Sequence, residues 1–158
     1  MIRAIYQTGS SLLLKHHNDM DYIFIYDNNK EREYALIHNH DHTVDKHFRV
    51  RKNIDRIFLG CYIYPLMKLI EGTPLPELTN FSIFDNAIKS KYVPLLKENY
   101  ETLKMNDKRW YHIVVAYYMY LNNSTTLTDK QLEVVQNVHD TGISEELKTE
   151  IGGYFKWE

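Results

Sequence analysis

The chain has 158 residues, 44% of them hydrophobic, which is enough to enclose a core and too many for a disordered segment. Its net charge of −2 argues against non-specific duplex binding, which depends on a strongly basic balance, and its single cysteine, Cys61, excludes an intrachain disulfide and suits a reducing compartment. The longest apolar runs, Ile113 to Leu121 and Phe58 to Met67, reach about half of the ~20 residues that span a bilayer, and the opening residues hold too short an apolar stretch for a signal peptide; a soluble, cytoplasmic protein without a membrane partner is expected.

In chain order, Ile2 to Tyr6 predicts a short strand that Gly9-Ser10 ends. Ser10 to Lys15 predicts one to two turns of helix, and Met20 to Tyr26 a second strand. The polar stretch Asp27 to Lys30 before Glu33 to Ile37 predicts an antiparallel hairpin. A polar, His-rich stretch follows from His38 to His47, and Asn53 to Phe58 predicts a further short strand or the start of a helix. Leu59 to Glu71 is apolar and stops at Gly72, with Pro74 and Pro76 beyond, which predicts a helix and its end. Phe81 to Lys104 carries apolar residues at helical spacing, with Pro94 kinking or restarting it. Helices are predicted again over Lys108 to Leu121, over Thr128 to His139 with Thr128 as cap, and from Ser144 to about Phe155. The expected fold class is α+β: a small mixed sheet in residues 1–58, followed by a helical bundle in residues 59–158 packed on it as one compact unit.

The chemistry concentrates near the N-terminus. Gly9-Ser10 stands where a helix is predicted to begin, and free N–H groups and the helix dipole at such a point favour phosphate. Asp19 and Asp21 stand at i and i+2, on one face of the strand they head. The Gly-Ser pair, the eight-residue gap and the Asp-x-Asp before an apolar strand resemble the DNA polymerase beta-like nucleotidyltransferase superfamily, and within it the small predicted nucleotidyltransferases of bacteria and phages. The resemblance covers roughly residues 2–75 and is best over the first 27. It differs at residues 11–18, which hold no second glycine, and at Asn18, where the family often has Ser.

The resemblance implies a nucleotidyltransferase-like sheet and an Mg²⁺- or Mn²⁺-dependent transfer of a nucleoside monophosphate from an NTP to an acceptor hydroxyl, with release of pyrophosphate. Gly9 and Ser10 are then the residues that hold the NTP phosphates, and Asp19 and Asp21 are metal ligands, since hard cations take carboxylate oxygens. A third carboxylate, on a strand beside the second, is expected both to ligate the metal and to take the proton from the acceptor. Asp55, within Ile54 to Phe58, fits that pattern best; Asp45 and Asp41 compete with it. The acceptor, whether small molecule, protein or RNA end, is left open.

Two rival readings stand beside this one. The differences around residues 11–18 suit a catalytically degraded relative that acts as a binding or inhibitory module in a phage–host or toxin–antitoxin setting. Six of the eight histidines fall between positions 16 and 47; in an extended run, His38, His40 and His42 share one face, and three imidazoles hold a hydrolytic Zn²⁺, although a solvated loop explains them more simply. The aromatic residues of Lys108 to Leu121 surround their helix and point to a buried bundle helix rather than to base stacking. Lys89, Lys91, Lys97 and Lys104, interspersed with Glu98 and Glu101, point to a solvated face.

Overall fold

The computed structural model describes residues 2–8, 21–38, 45–54, 57–58 and 67–158. Within them the chain forms a four-stranded mixed sheet at its N-terminal end and then a succession of helices. The strands are β1 (Ile2–Thr8), β2 (Asp21–Tyr26), β3 (Asp45–Val50) and β4 (Met67–Gly72), in the order β3-β2-β1-β4. The helices are α1 (Asn29–Ile37), α2 (Phe81–Thr102), α3 (Trp110–Asn122), α4 (Asp129–Thr141) and α5 (Glu145–Phe155), with a 3-10 turn at Pro76–Thr79. By compactness the chain divides into two units, Met1–Ile88 and Lys89–Glu158. No helix among the described residues is long and apolar enough to cross a membrane.

The expected hairpin after β2 is instead helix α1, because β3 runs parallel to β2. Two parallel neighbours cannot be joined by a tight turn and need a crossover, which α1 supplies. Asn28 starts it: its side chain accepts a hydrogen bond from Glu31 N at 2.9 Å, satisfying one of the free donors of the first turn. Glu31, Arg32, Ala35 and Leu36 are good helix formers. The helix expected over Leu59 to Glu71 is corrected in its last part, since Met67–Gly72 pairs antiparallel with β1 as an edge strand; residues 59–66 lie outside the described residues. Gly72 does end an element, but a strand. Its φ of +94° and its closeness to the Arg3 carbonyl and to Ala4 Cα, 2.8 Å from where a Cβ would stand, leave room for no side chain.

In the first unit, alternation sends Ala4, Tyr6 and Thr8 of β1 and Ile23 and Ile25 of β2 to one buried face. The Tyr6 hydroxyl accepts from the buried Leu75 N–H at 2.9 Å, fixing the segment after β4 to that face. Ile57, Phe58, Leu78, Phe84 and Ile88 are also buried, and the Phe58 and Phe84 rings meet edge to face at 5.3 Å. The opposite face of the sheet carries Phe24, Tyr26, Lys46 and Phe48 beneath α1. At the β3 edge, Arg32 Nε and Arg49 donate to the Phe48 carbonyl, at 2.9 and 3.0 Å, and so occupy an acceptor that edge strands otherwise expose.

The second unit is helical, as expected, and Pro94 is accommodated inside a continuous α2. Helix α3 is buried almost all round, from Trp110 to Met119, which accounts for its aromatic content. Trp110 Nε1 donates to the Lys104 carbonyl at 2.9 Å. Thr128 caps α4 in a reciprocal box with Gln131, whose side chain also pairs with the Asn122 amide at the end of α3. Tyr100 donates to the Glu158 carboxylate, and both burial and that carboxylate hold its pKa up at about 12. The Lys97–Glu101 pair on α2 is half-exposed, as a solvated face requires.

Candidate functional site

One end of the sheet brings two acidic positions side by side. Thr8 closes β1, Asp21 opens β2 and Asp45 opens β3. Thr8 is the cross-strand partner of Asp21 in the antiparallel pair, and Asp21 is the partner of Asp45 in the parallel pair. Met67, at the start of β4, stands across Thr8 on the far side. Adjacent strands lie about 4.8 Å apart, so Asp21 and Asp45 occupy neighbouring backbone positions at the same level of the sheet.

The local reasons differ from strand to strand. Asp21 lies on the same side of β2 as Ile23 and Ile25, both fully buried, and as the strand's first residue it stands where that buried row meets the rim; its side chain is 28% exposed. Its Oδ1 is 3.8 Å from His47 Nε2, a residue two positions along β3 from Asp45. Thr8, by contrast, is a buried polar residue, 4% exposed. A carboxylate near an imidazole at a strand end offers a cation one oxygen and one nitrogen donor.

Most of the residues expected from the sequence lie outside the described residues. Gly9, Ser10, Asp19, Asp41 and Asp55 do, as do His16, His17, His40, His42 and the helix expected from Ser10 to Lys15. The strand beside β2 is Asp45–Val50, not Ile54 to Phe58, where Ile54, Ile57 and Phe58 are helical. Of the His38, His40 and His42 run only His38 is described: it caps α1, its Nδ1 2.8 Å from the Tyr34 carbonyl and its ring stacked on Tyr34 at 4.0 Å. Among the described residues no three His, Cys, Asp or Glu side chains cluster to hold a metal ion.

His47 is the residue sequence reasoning passed over. It lay in a stretch read as polar loop, although Lys46, Phe48 and Val50 alternate with His47 and Arg49 as a half-buried strand requires. No protein-family model, curated protein or solved structure matches this chain.

Proposed function

We propose that the protein is a divalent-cation-dependent nucleotidyltransferase, which moves a nucleoside monophosphate from an NTP to an acceptor hydroxyl and releases pyrophosphate. The observation that carries the reading is the register of Thr8, Asp21 and Asp45, which sets two acidic positions side by side on parallel strands at one end of the sheet. The donor chemistry fits a hard cation: Asp19 and Asp21 would hold Mg²⁺ or Mn²⁺ together with a third acid. When bound, such an ion neutralises charge on the triphosphate and favours ionisation of the attacking hydroxyl.

The chain's own residues have separate tasks. Gly9 lets the backbone approach the phosphates, and Ser10 donates its N–H and hydroxyl to them. The acceptor oxygen forms its bond to the α-phosphorus as the bond from that phosphorus to the α–β bridging oxygen breaks. The electron pair leaves with pyrophosphate, and the hydroxyl proton passes to the third carboxylate. The pairing with Asp21 favours Asp45 for that role over Asp55 and Asp41. His47, beside Asp21, is placed to hold the Asp21 carboxylate in position.

The test is incubation with α-labelled NTPs, Mg²⁺ or Mn²⁺ and a cell extract, with label transfer and pyrophosphate as readouts. Transfer is expected, and Asp21→Asn should abolish it. Loss of proton acceptance typically costs ~10²–10⁴-fold, so Asp45→Asn should lower transfer by at least that much while Asp41→Asn stays near wild type. A collapse with Asp55→Asn and not with Asp45→Asn would move the third acid to Asp55. No labelled product from any NTP, or an Asp21→Asn protein that transfers normally, would overturn the reading and leave a binding module.

A further inference from the structure

The first unit holds a concave site on the sheet face opposite Asp21. It is a cleft of about 620 Å³ between α1 and strands β2 and β3, within the ~300–1,000 Å³ that accommodates small organic ligands. Its floor is a row of rings. Phe24 and Phe48, register partners on the parallel strands, stack at 5.4 Å with an interplanar angle of 22°, and Tyr26 continues the row at 6.2 Å and 20° from Phe48. Its roof is one side of α1, on which Ala35 leaves space and Tyr34 adds a further ring. None of the residues of α1 is buried, so the helix covers the sheet without filling the space beneath it.

The charge around the cleft is unequal. Among the described residues, Lys30 from α1 and Lys46 from β3 line it, with the carboxylate of Glu31. Lys46 Nζ stands 5.7 Å from the centre of the Phe24 ring, so an ammonium is held directly beside the aromatic row. A row of nearly parallel rings favours a flat, polarisable body that extends the stack. An ammonium at its end favours a negative group on that body. We propose that this cleft binds a flat aromatic carboxylate, its ring system against Phe24 and Phe48 and its carboxylate toward Lys46.

Pyrene-1-carboxylate, whose own fluorescence anisotropy reports binding, is the probe, with pyrene-1-methanol as the neutral analogue and dodecanoate as the flexible anion. The protein should bind the carboxylate, and the alcohol and dodecanoate should each bind about tenfold more weakly or worse, as expected when one charge-assisted contact or the ring contact is lost. Lys46→Met keeps the apolar stem and removes the charge, and should bring binding of the carboxylate down to that of the alcohol. Ala35→Trp should block all binding in a protein whose circular dichroism is unchanged. Asp21→Asn, on the opposite face, should bind the probe as wild type does, which separates this proposal from the transferase reading. No binding of the carboxylate, equal binding of all three probes, or full binding by folded Lys46→Met would overturn the proposal.

Discussion

Gly72→Ala tests the strand that replaces the helix expected before Gly72. A glycine that merely follows a helix tolerates alanine at a cost of about 1 kcal/mol. Here the new methyl group would meet backbone rather than a flexible side chain: the Arg3 carbonyl and Ala4 Cα, the latter at 2.8 Å. The backbone also holds a φ of +94°, which costs a non-glycine residue roughly 1–3 kcal/mol, and crowding against fixed atoms adds about 1–3 kcal/mol. A loss of about 2–6 kcal/mol follows, concentrated in the β1–β4 pairing. With an m-value of about 2 kcal/mol/M, the urea midpoint of the first unit should fall by about 1–3 M. Amide hydrogen exchange on peptides from β1 and β4 locates the effect. Gly153→Ala is the internal control, because its added Cβ meets nothing within 4 Å in helix α5, and it should stabilise the second unit by about 0.5–1 kcal/mol. A Gly72→Ala midpoint within 0.2 M of wild type, or no change in exchange of residues 2–8, would refute the pairing.

Tyr6→Phe removes the hydroxyl that accepts from the buried Leu75 N–H and should cost about 1–3 kcal/mol in urea unfolding, since the donor is left without a partner. Thr128→Ala breaks the reciprocal cap of α4 and should cost about 1 kcal/mol, with faster exchange in the first turn of that helix. Burial first, then the Arg109 and His139 charges, push the His112 pKa down from 6.5 to about 4. The unfolded chain therefore binds the extra proton between those values, so the stability that neutral His112 contributes is complete above about pH 6.5 and is lost as pH falls toward 4. Unfolding midpoints from pH 7 to pH 4 should fall steeply in wild type and less so in His112→Gln, and parallel curves would count against this.

The helical half was legible because its signals are local. Thr128 with Gln131, Ser144 before Glu145, and the apolar spacing of Phe84, Ile88, Tyr92 and Leu96 depend on neighbours within one or two turns. The errors fall where partners are distant in sequence. Whether Glu33 to Ile37 is a strand or a helix depends on β3 running parallel to β2, and the Asn28–Glu31 cap signal was present but outweighed by a short apolar run. Met67–Gly72 has the composition of either element, and only β1 decides it. At the candidate site the acidic pair and Gly9-Ser10 were readable as a pattern, whereas the position beside Asp21 was not. Asp45 takes it through pairing between strands 24 residues apart in sequence, and its following residues Lys46 and His47 masked the strand.

The most direct test of the central claim is paramagnetic broadening of backbone amide signals by Mn²⁺ in the presence of an NTP. The account predicts broadening centred on Thr8, Asp21 and Asp45, with Tyr26 and Val50, about 17 Å away at the other end of their strands, affected least; Asp21→Asn should remove it. Broadening centred elsewhere, or an effect that Asp21→Asn leaves intact, would contradict the assignment of this sheet end as the metal and nucleotide site.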